Sequence, residues 1–253
     1  MPIKRQFAPR SVELPDIKLG RVEPQYTKVL MRLLSAHALA EKLTAEGYDR
    51  AAGLSLTDEL RTVIEKNRAE ERKHAGLVYH LLTELGVTEA AADRMMITAR
   101  KSPSFEAPRR FAERARTELD LLMASLSLDV TGLIMIGINY KDSSYAPHCR
   151  AAEIILEEES DHESFAMEAL SEAAEQFGPD SVNQALSEWL PAAVNFFGPP
   201  GSGFTYDCLR LGLKAKDNEE LAELYLTVLG RKVEQLGLQM PTLTTQYPRA
   251  LAQ

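Results

Sequence analysis

The stretch EEESDHESF, residues 157–165, places Glu159 three positions before His162. The same arrangement occurs 88 residues earlier, where EERKH contains Glu71 and His74. On an α-helix, side chains three positions apart project from one face, so each glutamate and its histidine can reach the same ion or pair of ions. The repeated pair therefore favours a helical protein that binds metal between its helices.

A further carboxylate lies 30 residues before each of these pairs, Glu41 before Glu71 and Asp129 before Glu159. In antiparallel helix pairs, equal separations place both sets of residues at comparable heights. One carboxylate from each of two helices, plus Glu-x-x-His from each of two others, is the ligand set of carboxylate-bridged di-iron or di-manganese proteins. The sequence therefore predicts a metal site formed by Glu41, Glu71, His74, Asp129, Glu159 and His162.

Neighbouring acidic residues leave alternatives open at these positions. Glu70 and Glu158 compete with the glutamates that follow them, but they have no histidine three positions later. Asp129 lies among apolar residues, where an ionised carboxylate needs a partner, and a metal ion is one such partner. Alternatively, Asp129 belongs to a narrow polar stripe with Ser125 and Thr131.

The remaining histidines carry weaker signals. His37 lies one turn before Glu41 and is either a partner that orients this ligand or an ordinary core histidine. We interpret His80 and His148 as structural residues.

Apolar residues recur at helical spacing along most of the chain, and no stretch alternates with period two. The first helix is predicted from Tyr26 to about Glu46, with Gly47 as its stop signal. Further helices are predicted from the N-cap region 55–58 to about 85, and over about 89–100, 109–139, 145–176, 181–195, 204–215 and 218–236, with a break at 101–108. The fold class is therefore all-α, and the four long helices predict a bundle with additional C-terminal helices.

Composition excludes several classes of protein. The net charge is −8 and the basic residues are scattered, so a nucleic-acid partner is not expected. The N-terminus lacks an apolar stretch after its basic residues, and no run of about 18 apolar residues occurs in the sequence. We therefore expect no membrane partner and a cytoplasmic location. Cys149 and Cys208 are predicted to be reduced, buried thiols.

Several stretches of the chain together resemble the catalytic oxygenase subunit of the phenylacetyl-CoA 1,2-epoxidase family, a group of ferritin-like di-iron enzymes in phenylacetic acid catabolism. The resembling stretches are HALAE (37–41), EERKHAGLVYHLLTELG (70–86), LDVTG (128–132), SSYAPHCRAAEIILEEESDH (143–162), FFGPP (196–200) and KVEQLGLQMP (232–241). The resemblance divides the chain into an N-terminal extended arm (1–24), a ferritin-like di-iron domain (25–241) and a C-terminal tail (242–253). It also places the family's metal positions on the residues already selected by spacing.

The resemblance implies a monooxygenase that uses two iron ions, or manganese, and O2 to epoxidise or hydroxylate an aromatic substrate such as phenylacetyl-CoA or another aryl-CoA thioester. The nearest matches to the family's CoA contacts are Arg32, Lys101, Ser102 and Lys214. The chain has no Gly-rich dinucleotide fingerprint and too few cysteines for an iron–sulfur cluster, so a separate reductase must supply electrons. The resemblance implies an NADPH-dependent flavin and iron–sulfur reductase, and a homodimer or a heterodimer with a ligand-less ferritin-like subunit.

Two alternatives use the same fold. A ferritin-like ferroxidase or iron-binding protein would have the same ligands but would assemble into a cage, which the bulky segment 181–241 disfavours. A non-catalytic structural subunit of an oxygenase complex would lack the ligands, which the retention of the whole set disfavours.

Overall fold

The computed structural model describes residues 3–243. Ten α-helices form within this part of the chain, which contains no β-strand. Their bounds are α1 Leu14–Lys18, α2 Pro24–Ala51, α3 Asp58–Glu84, α4 Glu89–Met96, α5 Glu106–Arg114, α6 Glu118–Ile134, α7 Ala146–Phe177, α8 Pro179–Asn195, α9 Gly203–Arg210 and α10 Asn218–Gln235, with a π-helix at Met135–Tyr140 and 3-10 helices at Ala99–Lys101 and Pro103–Phe105. The predicted all-α fold is confirmed.

Four long helical segments form the bundle: α2, α3, α7 and α6 together with the π-helix. Helix α2 packs along α3, α6 packs along α7, and α3 contacts α7. Helices α2 and α6 pack less closely on each other, and α5 contacts both. Helices α5, α8 and α10 pack around one end of this frame, and α9 packs at the other end. The predicted additional C-terminal helices are therefore present.

The two largest apolar cores lie at opposite ends of the bundle. One surrounds the buried Trp189 and includes Tyr48 near the end of α2 and Phe111 of α5. The other surrounds Tyr26 near the start of α2 and includes Tyr145 near the start of α7. The middle of the bundle, between the two cores, contains the buried polar residues described below.

Helix α2 continues beyond its predicted end. It passes through Gly47 to Ala51, so the interpretation of Gly47 as a stop signal is wrong. A Cβ atom at this position would lie 2.2 Å from a ring carbon of Phe111, which packs directly on the helix backbone. The glycine therefore serves close packing between α2 and α5.

The predicted helix 109–139 is also wrong as a single element, because α5 ends at Arg114 and α6 begins at Glu118. Thr117 and Asp120 form a reciprocal capping box that starts the new helix. The predicted break at 101–108 also gives way to helix, since α5 begins at Glu106. Pro108 is tolerated there because the first turn of a helix has no intrahelical partners for its N–H groups.

One helical segment, Glu118–Tyr140, is long and apolar enough to cross a membrane, with a mean hydropathy of 2.0. The segment is not an unbroken apolar run, because Ser127, Asp129 and Thr131 interrupt it. In addition, 67% of this apolar window is buried inside the protein. A core helix of a bundle has this composition because neighbouring helices surround it.

The N-terminal segment packs against the bundle. Val12 forms an isolated parallel bridge with Tyr145, and its N–H donates to the carbonyl of Ser144 at 2.9 Å. The N–H of Gln6 donates to the carbonyl of Arg210 at 2.7 Å. The proposed domain boundaries stay a prediction, and residues 244–253 of the predicted tail lie outside the described part of the chain.

Candidate metal centre

The six predicted ligand residues meet in the middle of the bundle, with exposed fractions between 0% and 7%. Their donor atoms form two adjoining groups, within each of which all atoms lie less than 4.8 Å apart. Glu71 belongs to both groups. The first group is Glu41, Glu71, His74 and Glu159, and the second is Glu71, Asp129 and His162.

Several donor atoms of this cluster are buried without any hydrogen-bond partner. They are Glu71 Oε2, both carboxylate oxygens of Asp129, His74 Nδ1 and His162 Nδ1. His74 Nδ1 lies 3.7 Å from Glu159 Oε1, and His162 Nδ1 lies 3.7 Å from Glu71 Oε1. Buried polar atoms are normally paired, and mixed oxygen and imidazole donors suit iron or manganese. The residues present therefore fit a pair of metal ions.

The electrostatics of the cluster also favour a cation. Burial, followed by the charges of Glu159 and Glu41, raises the pKa of Glu71 well above its usual value. Burial likewise raises the pKa of Glu159, with Asp129 as the largest charge contribution. Ionising several adjacent carboxyl groups in a buried site is unfavourable unless positive charge accompanies them.

The outer nitrogens of the two histidines are held by carboxylates from the opposite helix. His74 Nε2 lies 2.8 Å from Glu158 Oε2, and His162 Nε2 lies 2.8 Å from Glu70 Oε2. These bonds leave each Nδ1 facing the cluster, as a ligand nitrogen must. The sequence showed Glu70 and Glu158 only as competitors of the ligands. Their occurrence before both Glu-x-x-His pairs was the signal for this second role.

Lysines accompany both orienting carboxylates. Lys73 forms an ion pair with Glu158, and Lys66 Nζ lies 3.7 Å from Glu70 Oε1. Burial acts to raise the pKa of Glu158, but hydrogen bonds from Lys73 and His74 outweigh it and lower the pKa. Glu158 is therefore held as an anion that accepts the His74 N–H.

Glu41 has its own orienting partner. His37 Nε2 lies 2.8 Å from Glu41 Oε1, and His148 Nε2 lies 3.1 Å from His37 Nδ1. Burial acts to raise the pKa of Glu41, but the hydrogen bond and charge of His37, with the charge of His74, lower it below its usual value. Of the two interpretations of His37, the geometry favours the orienting partner. Sequence reasoning missed His148, because nothing in its local pattern links it to the site.

A glycine and a small cavity complete the centre. A Cβ atom at Gly132 would lie 2.9 Å from Glu159 Oε2, so α6 approaches this ligand closely only because position 132 has no side chain. A cavity of about 40 Å³ borders the predicted ligands between α2 and α6. Its other lining residues are Ala40, Thr44, Leu128, Thr131, Gly132 and Phe196.

The predicted cofactor-binding residues do not join this cluster. The Arg32 guanidinium lies 4.3 Å from the centre of the Phe204 ring, and Lys101 is exposed while Ser102 is half-buried. Lys214 is buried, and its ammonium donates to Asn218 Oδ1 at 2.9 Å. CoA contacts by these four residues stay a prediction.

Comparisons with known proteins give one family. A search of curated proteins finds no match. The model of the family described as phenylacetic acid catabolic protein matches residues 71–250, well over half of the chain. The matched region contains every predicted ligand except Glu41. The chain therefore belongs to the phenylacetic acid catabolic protein family.

Proposed function

We propose that this chain is a di-iron monooxygenase that epoxidises or hydroxylates an aromatic substrate, an aryl-CoA thioester such as phenylacetyl-CoA. The observation that carries the proposal is the convergence of buried carboxylate and imidazole donors from four helices, several of them without a hydrogen-bond partner. Membership of a phenylacetic acid catabolic family supports the substrate class.

The predicted ligands and the carboxylates beside the histidines would have different roles. Glu41, Glu71, His74, Asp129, Glu159 and His162 would hold two ions, with manganese as the alternative to iron. Bound iron would supply the reduction of O2 and the transfer of one oxygen atom to the substrate. Glu70 and Glu158 fix the ring orientation of the histidines.

The cavity beside the predicted ligands is large enough for O2 but not for an aromatic substrate. A volume of about 40 Å³ accommodates a molecule the size of water or O2, whereas an aromatic ring needs more space. Phe196 is half-buried at the edge of this cavity, next to a turn where Gly198 has a φ of +83°. We infer that Phe196 moves when an aromatic substrate enters, and that the apolar lining then excludes water from the reaction.

The proposal includes an external source of two electrons per turnover, an NADPH-dependent flavin and iron–sulfur reductase. It also includes a cytoplasmic location and association as a homodimer, or with a ligand-less sister subunit.

Metal analysis of anaerobically reconstituted protein tests the centre, with His74→Ala and His162→Ala as controls. We expect close to two ions per wild-type chain and fewer in both variants. Less than one iron or manganese per wild-type chain would refute the di-metal centre.

A second experiment tests the reaction. Loaded protein is mixed with an electron donor, O2 and either phenylacetyl-CoA or free phenylacetic acid, and the products are analysed by mass spectrometry. Addition of one oxygen atom to the thioester alone is the expected result. Iron oxidation without an oxygenated product would favour the ferroxidase alternative.

A further inference from the structure

The two halves of the metal centre repeat in sequence but differ in how the protein holds their first carboxylate. Glu41 accepts a hydrogen bond of 2.8 Å from His37, which lies four residues earlier on α2. In the other half, Ser125 lies four residues before Asp129, but its hydroxyl bonds to Tyr48 at 3.0 Å. Both oxygens of Asp129 are left without a hydrogen-bond partner. Glu41 is therefore oriented by the protein, and Asp129 is not.

The support for Glu41 extends to a second buried histidine. The proton of the His37–Glu41 bond lies on His37 Nε2, and His37 Nδ1 forms a second hydrogen bond of 3.1 Å with His148 Nε2, in which either nitrogen can be the donor. Neither ring is more than 5% exposed. The Tyr140 ring packs against both, with centroid distances of 4.8 Å to His37 and 4.6 Å to His148. The His37 ring has little freedom to turn away from Glu41.

The Glu41 position also has more predicted ligands than the Asp129 position. Four residues surround the position that contains Glu41, whereas three surround the position that contains Asp129, and Glu71 is common to both. A carboxylate that is already oriented loses less conformational freedom when it binds an ion. Both features favour the Glu41 position.

We propose that His37, supported by His148, is a positioning residue that makes the two metal positions unequal, so that the Glu41 position fills first and the Asp129 position fills second. This inference rests on the metal centre of the proposed function. It adds an order of loading and a reason for it, and it means that the second ion exchanges more readily than the first.

An anaerobic titration of the metal-free protein with Co²⁺ tests the order, with calorimetry for affinity and visible absorption for the environment of each ion. We expect two binding steps in the wild type, separated by about 10-fold or more in affinity. His37→Leu should weaken the first step about 10–100-fold and change its absorption bands. His37→Gln retains an N–H donor and should restore much of the first step.

Asp129→Asn should remove the second step and leave the first. The exposed His80 on α3 provides the matched control, because His80→Gln should change neither step. If His37→Leu fails to fold, as judged by circular dichroism of the metal-free protein, His148→Leu tests the same support. We expect it to weaken the first step by a smaller factor.

Two results would overturn the inference while leaving the metal centre intact. One is a wild type that binds two ions in a single step of equal affinity. The other is a folded His37→Leu variant that keeps wild-type affinity and absorption in the first step. A wild type that binds no Co²⁺, iron or manganese would overturn the proposed centre itself.

Discussion

Adjacent glutamates in each Glu-Glu-x-x-His segment have different tasks although their side chains are identical. The second member of each pair faces the cluster, while the first reaches across to the histidine of the opposite helix. This exchange links α3 and α7, and it sets which nitrogen of each imidazole faces the cluster. The two histidines of the candidate centre are therefore aimed by residues that are not themselves predicted ligands.

Removal of these orienting carboxylates should weaken metal binding. We expect Glu70→Ala and Glu158→Ala each to lower iron or manganese affinity about 10–100-fold, because the histidine loses the acceptor that fixes its ring. The glutamine variants should lose less, since an amide oxygen still accepts the imidazole N–H. Anaerobic titration measures the change, and Glu65→Ala, an exposed glutamate of α3, serves as the control. Wild-type affinity in both alanine variants would contradict the orienting role.

The meeting of the six predicted residues in the middle of the bundle could be predicted from sequence, because helical spacing converts directly into position. Glu71 and His74 share a helix face, and the equal separations from Glu41 and Asp129 fix the relative heights of the helices. The partner of each histidine could not be predicted in this way. The pairs Glu158 with His74, and Glu70 with His162, depend on the rotation of α3 against α7, which is decided by packing.

The α2–α5 contact shows why helix bounds were less predictable than helix positions. Gly47 resembles a terminator locally, yet α2 continues because the missing side chain gives room to Phe111 on a helix far along the chain. The same limit applies to the division between α5 and α6. There, the capping box of Thr117 and Asp120 overrides an apolar pattern that continues through it.

Paired glycine substitutions should distinguish packing from helix propensity. Gly47→Ala should destabilise the protein by about 1–3 kcal/mol, because the new methyl group overlaps the Phe111 ring. Gly76→Ala on α3 meets nothing within 4 Å and should stabilise the protein by about 0.5–1 kcal/mol. Urea denaturation of both variants measures these changes. Equal stabilisation by both substitutions would show that Phe111 does not restrict position 47.

The segment between α9 and α10 contains a buried charge that makes stability depend on pH. Burial lowers the pKa of Lys214 from 10.5 to about 8 in the folded protein. Between these values the unfolded chain binds more protons, so the free energy of unfolding rises with pH. We expect the wild type to gain stability relative to Lys214→Met from pH 8 to 10, measured by urea denaturation. A constant difference over this interval would contradict the shifted pKa.

When metal is absent, the two largest apolar cores stabilise the folded bundle, whereas the polar centre between them opposes folding. The cores around Trp189 and Tyr26 hold the two ends of the bundle together. Between them, carboxyl groups with raised pKa values repel one another when ionised. A pair of cations would offset this repulsion and join α2, α3, α6 and α7, since each of these helices supplies a predicted ligand.

Metal loading should therefore stabilise the bundle in a pattern that hydrogen exchange can resolve. At a free metal concentration 100 times the Kd, the gain is about 2.7 kcal/mol. We expect anaerobic iron or manganese to slow amide exchange most in α2, α3, α6 and α7 around their ligands, and least in α9 and α10, which supply none. A chelator should reverse the change.

The Glu71→Gln variant distinguishes stabilisation by bound metal from a change in the stability of the metal-free protein. It removes the ligand common to both metal positions, and it also removes a buried carboxyl group whose ionisation opposes folding. The metal-free variant should thus be at least as stable as the metal-free wild type, yet its exchange should not respond to metal. An equal response in Glu71→Gln, or a wild-type response confined to α8, α9 and α10, would contradict a metal centre that joins the four bundle helices. The combination of unchanged folding with lost metal response is expected only if the charges at the centre of this bundle are arranged for ions.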